Sequence, residues 1–178
     1  MGRLGPDDVG GGHSMDVGRE LIAQTRAHVG RFGDRLDTTL ARLDAADLAW
    51  RANAASNSAG NLVLHLCGYL RQRYHAGFGG APDDRARDGE FAAAGPWMPA
   101  ALRAQARETW AEVDAFLAAL APERLAESRT IQGRTLTLLE LLPDTTAHVA
   151  QHVGQIIYIA KLRLGDRFET LSIPRPKP

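Results

Sequence analysis

Two histidines four residues apart, His148 and His152, are the first feature of this sequence that could do chemistry. On an α-helix this spacing is about 40° of rotation and one turn of rise, so both imidazoles can reach one ion. The same stripe carries Val149, Val153 and Ile156, which directs the pair toward or beside a helical core, where bundles build ligand sites. Such a pair alone does not establish a metal site.

A third histidine, His65, lies in the apolar run Leu62–Cys67, where burial would strip its imidazole of water unless a partner satisfied the ring nitrogens. That partner is either a hydrogen-bonding group of the core or a metal ion. If a neighbouring helix brings His65 opposite His148 and His152, three imidazoles leave a fourth position open, which is typical of catalytic zinc sites. No carboxylate falls within the histidine motifs at an evident spacing, so the sequence names no proton acceptor.

Other residues with reactive or aromatic side chains have simpler interpretations. Cys67 is two positions from His65 and therefore points to another face, which favours core packing. His75 lies about 80° off the direction of His65 on the same helix, so we expect it at the surface. His28 borders an apolar stripe, and Trp110 has core spacing. The segment Arg87–Glu90 fits either a pocket mouth or a solvated turn.

The composition is that of a globular protein, with 44% hydrophobic and 24% charged residues among 178. Basic and acidic residues balance at 21 each, which argues against a nucleic-acid partner. The single cysteine excludes an intrachain disulfide and favours a reducing cytoplasm. No apolar run approaches the ~20 residues that span a bilayer, and no signal peptide is evident, so we predict no membrane association.

Apolar periodicity predicts four helices in one domain, residues 15–178, behind a glycine-rich disordered leader, residues 1–14. The first follows Val17, the second runs over Gly60–His75 after Ser56 or Ser58 as N-cap, and the third ends at Pro122. A long connection, Gly77–Pro99, precedes the third helix. A short extended excursion or a tight turn around Gln132-Gly133 leads to the fourth helix, Leu138–Leu164. This helix has a Thr137/Glu140 capping box, a kink or second start at Pro143, and Gly165 at its end. We predict an all-α, up-and-down four-helix bundle.

Several segments together resemble the DinB-like metal-binding four-helix bundles, and in particular the branch with a Gly-Gln-Ile signature after the histidine pair. They cover about Asp16 to Pro174 in the family's order and spacing. The matching residues are Asn57-Ser58, Asn61 to Leu66 with Gly68, Arg87 to Phe91, His148 to Ile156, and Leu171 to Pro174. Tyr69 departs from the Asn expected after Gly68, and Pro143 stands where an ordinary helix former is expected.

The resemblance implies that His65, His148 and His152 hold a divalent ion such as Zn²⁺ or Ni²⁺. It also implies relatives among thiol-dependent transferases and isomerases, and therefore a small-molecule substrate with a low-molecular-weight thiol. We expect a metal-dependent enzyme, a thiol S-transferase or a hydrolase, and a homodimer, the commonest oligomer. A non-catalytic metal-binding or stress-response module is the second hypothesis. A structural bundle with three hydrogen-bonded histidines and no metal is the third.

Overall fold

The computed structural model describes residues 16–171, so the predicted leader and the tail from Ser172 lie outside the described residues. The described residues are mostly helical, which confirms the predicted class. The helices are α1 (Val17–Leu40), α2 (Ala45–Ala49), α3 (Ala59–Leu70), α4 (Arg87–Ala92), α5 (Pro99–Ala119) and α6 (Leu138–Leu164). The strands are β1 (Ser128–Ile131) and β2 (Arg134–Thr137). A π-helical segment, Arg71–Phe78, extends α3, and 3₁₀ turns occupy Pro122–Ala126 and Gly165–Arg167.

Capping boxes fix the starts of the two helices that carry the histidines. Ser58 accepts from the backbone of Asn61 at the start of α3, and the Asn61 side chain accepts from the Ser58 backbone. Thr137 and Glu140 form the same reciprocal arrangement at the start of α6. Each box satisfies two backbone N–H groups that a helix start leaves free. Both predicted caps are confirmed, and Ser58 rather than Ser56 is the N-cap of α3.

The four long helices pack in pairs, with α1 and α3 each lying against both α5 and α6. Helix α1 runs antiparallel to α5, because Arg26 near its start binds Asp114 at 2.6 Å, whereas Asp37 near its end binds Arg103 at 2.7 Å. The core between the four long helices contains fully buried leucine, valine and isoleucine side chains, with each helix contributing: Leu36, Leu66, Val113 and Ile156.

Helices α3 and α5 run in the same direction, which corrects the prediction of a simple up-and-down bundle. Cys67 lies beside Thr109, and one turn further along both helices Arg71 binds Glu112 at 2.8 Å. Parallel neighbours need a long connection, and residues 79–98, which include α4, supply one. The predicted long connection is therefore confirmed, and its length is what permits the parallel pair.

The second predicted helix does not end at His75. Its last two turns, Arg71–Phe78, adopt the wider π-helical form. π-Helical segments are rare in proteins, and those that occur are often found at functional sites. They change the direction of side chains relative to a regular α-helix. Here it buries the side chains of Arg73 and Tyr74.

A two-stranded hairpin leads into α6, as the turn signal predicted. Strands β1 and β2 pair antiparallel, with Ile131 opposite Arg134 at the turn. Gln132 and Gly133 have φ values of 51° and 75°. Such a pair of left-handed residues is the two-residue turn whose twist matches a β-hairpin.

Helix α6 continues through Pro143, so this proline does not mark a second helix start. Of the two effects predicted for Pro143, a kink or a second start, the second is wrong. Pro143 lies in the second helical turn, where it lacks an N–H for the carbonyl of Leu139. Gly165 ends the helix at a φ of 54°, as predicted. Within residues 16–171, no helix has the length and apolarity to cross a membrane.

Two glycines of α1 make a matched test of how α1 packs against α5. A Cβ on Gly33 would collide with the indole of Trp110, whose Nε1 donates to the Val29 carbonyl at 3.0 Å, whereas a Cβ on Gly30 meets nothing within 4 Å. Gly33→Ala should lower the free energy of unfolding by about 1–3 kcal/mol through overpacking. Gly30→Ala should raise it by about 0.5–1 kcal/mol through helix propensity. Urea unfolding of both variants measures the difference, and equal effects would contradict this packing.

Candidate metal centre

The structure brings the three predicted histidines together between α3 and α6. His65 comes from the middle of α3, and His148 and His152 lie one turn apart on α6. The Nε2 atoms of His65 and His148 are 3.0 Å apart, and one ring nitrogen from each of the three residues lies within 4.8 Å of the others. His65 is 5% exposed, and the other two are half-buried. The cluster has the residue types and spacing that could hold a metal ion.

A buried carboxylate orients His65. Glu90, from α4, has an oxygen 3.0 Å from His65 Nδ1, and its side chain is 11% exposed. Because the carboxylate can only accept, His65 carries its proton on Nδ1, which leaves the lone pair of Nε2 facing the other histidines. This tautomer is the one that a metal ligand needs, and a carboxylate behind a ligating histidine is a recurring feature of metal sites.

Arg85 holds Glu90 in place with two hydrogen bonds. Its Nε and Nη2 lie 2.7 and 2.8 Å from the two carboxylate oxygens, and its side chain is 5% exposed. Arg85 Nη2 also lies 3.2 Å from His65 Nδ1. Both of these nitrogens are donors in the tautomer that Glu90 selects, so this contact is proximity and not a hydrogen bond. Glu90 is therefore a positioning residue fully occupied by two partners.

The backbone around Glu90 is tied to the start of α3. Asn61 Nδ2 donates to the Glu90 carbonyl at 2.9 Å and to the Ala93 carbonyl at 2.8 Å. Gly68, one turn after His65, leaves the space that the carboxylate fills, since a Cβ there would collide with Glu90 Oε1. The cap of α3 and a glycine on its face thus place α4 against His65.

Glu90 is the site residue that sequence reasoning missed. Its signal was the segment Arg87–Glu90, which fitted both a pocket mouth and a solvated turn. The structure supports neither description fully, because Glu90 is turned inward while Arg87 and Asp88 remain exposed. No local periodicity marks this inward turn, which depends on Arg85 and Asn61.

The two histidines of α6 have their own partners. Gln155 Oε1 lies 2.7 Å from His152 Nδ1. With the amide oxygen facing the ring, Nδ1–H donates to it, and Nε2 of His152 is again left free. The ring of Tyr69 stacks on that of His148, with 3.9 Å between centroids and 23° between planes. Tyr69 is the residue that departs from the DinB-like pattern, and here it packs directly against one histidine of the cluster.

Burial keeps two of the imidazoles neutral. Burial, together with the neighbouring His152 and His65, lowers the pKa of His148 to about 4. The pKa of His65 is also lowered, mainly by burial, although Glu90 opposes the shift. A histidine binds a metal only in its neutral form, so the cluster needs no deprotonation of these two residues near neutral pH.

The other candidate residues lie outside the cluster. Cys67 is 1% exposed, and burial raises its pKa to about 11, so it packs as an apolar side chain beside Thr109. His75 Nε2 is 3.8 Å from a carboxylate oxygen of Glu112, facing α5 and not α6. His28 is half-buried on α1, as expected of a residue at the edge of the core.

A family model described as "Protein of unknown function (DUF1572)" matches residues 16–177. The chain belongs to this family. Comparison with curated proteins gives no match. A solved structure of a histidine-to-alanine mutant of mycothiol-dependent maleylpyruvate isomerase shares the fold, with a TM-score of 0.58 and 16% identity over 76% of this chain and 60% of that chain. The DUF1572 chain thus spans less than two thirds of the isomerase. The family and this likeness confirm the predicted DinB-like superfamily.

Glu90 and Glu108 make a matched pair, since each binds an arginine but only Glu90 is buried. Glu90→Gln removes the charge that pairs with Arg85 in the interior, so it should lower the free energy of unfolding by about 2–4 kcal/mol. Glu108, whose side chain is 68% exposed beside Arg71, should tolerate Glu108→Gln with a change below about 0.5 kcal/mol. Urea unfolding of the metal-free proteins measures both values. A loss at Glu90 as small as at Glu108 would refute the buried ion pair.

Proposed function

We propose that His65, His148 and His152 bind one divalent ion, Zn²⁺ or Ni²⁺, and that this family member is a metal-dependent enzyme. The observation that carries the proposal is the convergence of three imidazoles within 4.8 Å. Glu90 and Gln155 support it, because their contacts with Nδ1 of His65 and His152 leave both Nε2 lone pairs free. A core that only needed hydrogen-bonded histidines would not require three imidazole rings to converge.

The donor set fits the ion. Zinc binds histidine nitrogens at about 2.0–2.1 Å, so two nitrogens on a tetrahedral ion are about 3.3–3.4 Å apart. The 3.0 Å between His65 Nε2 and His148 Nε2 is close to this separation, and small rotations of the rings supply the rest. Glu90 holds Nδ1 of His65 and Gln155 holds Nδ1 of His152, so the Nε2 atoms of these two rings stay directed inward.

Three imidazoles leave a tetrahedral ion one position short, and an ion so bound lowers the pKa of a water or thiol held there. The residues of this chain then have separate tasks. Glu90 holds the His65 tautomer, and Tyr69 covers one face of His148. The Tyr69 hydroxyl donates to Asp144 Oδ2 at 3.3 Å, which places a carboxylate one turn before His148 on α6. We assign proton transfer to Asp144, because Glu90 is occupied by Arg85.

Among the reactions open to such a site, we place thiol S-transfer first and hydrolysis second. The support is the likeness to an isomerase whose name states a dependence on mycothiol, a low-molecular-weight thiol. The substrate would then be a small electrophile attacked by an added thiol, because Cys67 is buried and its pKa is raised to about 11. A homodimer and a cytoplasmic location stay predictions.

A non-catalytic metal-binding module is the second candidate. The observation that favours it is a cavity of about 530 Å³ next to the cluster. Arg85 and Glu90 line this cavity, but none of the three histidines does. A metal that does not face this cavity would stabilise the fold or report metal supply.

Histidine substitutions test the ligand assignment. We expect about one Zn²⁺ or Ni²⁺ per chain in the reloaded protein by elemental analysis. His65→Ala, His148→Ala and His152→Ala should each weaken binding by more than about 100-fold in a chelator competition, since each removes one of three protein ligands. His28→Ala and His75→Ala are the controls and should bind as the unmodified protein does. Equal losses across all five variants would overturn the assignment.

Cobalt substitution tests the thiol hypothesis against hydrolysis and the non-catalytic module. Adding a small thiol to the Co²⁺ protein should produce a sulfur-to-metal charge-transfer band, because the fourth position is open. A spectrum perturbed by a hydroxamate but unchanged at saturating thiol would favour hydrolysis. A spectrum that neither ligand changes would show a closed shell and favour the non-catalytic module.

A further inference from the structure

Arg73 is a buried cation with no hydrogen-bonding partner for two of its nitrogens among the described residues. Its side chain lies in the π-helical segment and is 8% exposed, and within residues 16–171 its Nε and Nη1 atoms make no hydrogen bond. A guanidinium stays charged at any physiological pH, and a charge withdrawn from water destabilises the fold unless an opposite charge compensates it. The other buried arginine near the site, Arg85, has Glu90 as such a partner.

Arg73 lies next to the histidine cluster. Its guanidinium carbon is 5.1 Å from the centre of the Tyr69 ring, the same ring that stacks on His148. The Arg73 charge is close enough to contribute to the lowered pKa of His148. Tyr69 therefore joins the unpaired cation to the proposed metal site.

Two hydroxyl groups lie in the same region. The Thr145 Oγ1 and Tyr74 OH atoms are buried, and neither makes a short hydrogen bond within the described residues. Thr145 lies three residues before His148 on α6 and close to the hydroxyls of both tyrosines. Buried polar groups in native proteins are normally satisfied, so Nε and Nη1 of Arg73, which have no hydrogen-bond partner among the described residues, indicate a place for a polar ligand.

We propose that Arg73 binds a carboxylate group of the substrate, and that the enzyme acts on small carboxylic acids. This inference rests on the proposed function for the reaction at the histidines, although the anion site itself does not need the metal. A guanidinium offers parallel N–H groups that match the two oxygens of a carboxylate. The single charge of Arg73 also balances one negative charge, whereas a phosphate dianion would bring an excess charge.

The arrangement would fix the direction of the substrate. With its carboxylate on Arg73, the rest of the molecule extends past Tyr69 toward His148, where the proposed chemistry occurs. A charged anchor at one end and a reacting centre at the other is a common means of positioning. Tyr69, which departs from the Asn that the DinB-like pattern predicts here, provides the flat surface between the two.

An NMR titration tests the site in the metal-free protein and in the Zn²⁺-loaded protein. The Nε–H signal of Arg73, assigned by its loss in Arg73→Met, should shift saturably with propionate at constant ionic strength. Propionamide, which has nearly the same shape without the charge, should leave it unchanged. Inorganic phosphate should bind at least about tenfold more weakly than propionate, and tighter binding of phosphate would overturn the carboxylate assignment.

Two variants separate anion binding from folding. Arg73→Met should weaken propionate binding, followed by calorimetry, at least about tenfold, because it removes a hydrogen bond to a charged group. It should leave thermal stability equal or higher, since it replaces an uncompensated buried charge with an apolar chain. Arg71→Met is the matched control, because Arg71 already pairs with Glu112 and Glu108, and it should bind propionate normally.

The outcomes distinguish this inference from the proposed function. Propionate binding that depends on Arg73 in a chain that takes up no metal would support the anion site and reject the metal enzyme. If the protein takes up metal but does not bind propionate, the anion site is rejected and the metal proposal stands. The same conclusion follows if Arg73→Met binds propionate as the unmodified protein does. A marked loss of stability in Arg73→Met would also overturn the inference, since it would show that Arg73 has a structural partner.

Discussion

The contact between His65 and Glu90 is the constraint on which the rest of the site depends. It fixes the tautomer of a buried imidazole and turns its free lone pair toward His148. Arg85 makes the contact possible by neutralising a carboxylate that would otherwise be unstable in the interior. Without this pair, His65 could rotate or change tautomer, and the three nitrogens would no longer be directed at one point.

Helix direction explains how Glu90 reaches His65. Because α3 and α5 run parallel, the chain must return along the length of the bundle between them, and residues 79–98 carry it past the face of α3. The cap residue Asn61 binds this segment through its carbonyls, and Gly68 leaves room for the carboxylate. The bundle's departure from alternating directions is therefore what supplies the histidine with its partner.

The histidines and most helix boundaries could be predicted from the sequence because both follow from local pattern. Apolar periodicity placed α1, α3, α5 and α6, capping residues marked the starts of α3 and α6, and the i, i+4 spacing joined His148 to His152. Helix direction, the π-helical segment and the inward turn of Glu90 could not be predicted in this way. They depend on contacts between residues distant in the chain, such as Arg85 with Gln72 and Asn61 with Ala93. The lack of hydrogen bonds at Nε and Nη1 of Arg73 within residues 16–171 likewise becomes visible only in the folded structure.

The most direct test of this account is a two-bond ¹H–¹⁵N NMR spectrum of the histidine side chains, recorded before and after one equivalent of Zn²⁺. The account predicts that the Nε2 resonances of His65, His148 and His152 move together to metal-bound values, while Nδ1 of His65 keeps its proton against Glu90. His28 and His75 should not move. Binding through Nδ1 of His65, or a spectrum in which the three Nε2 resonances do not respond, would contradict it.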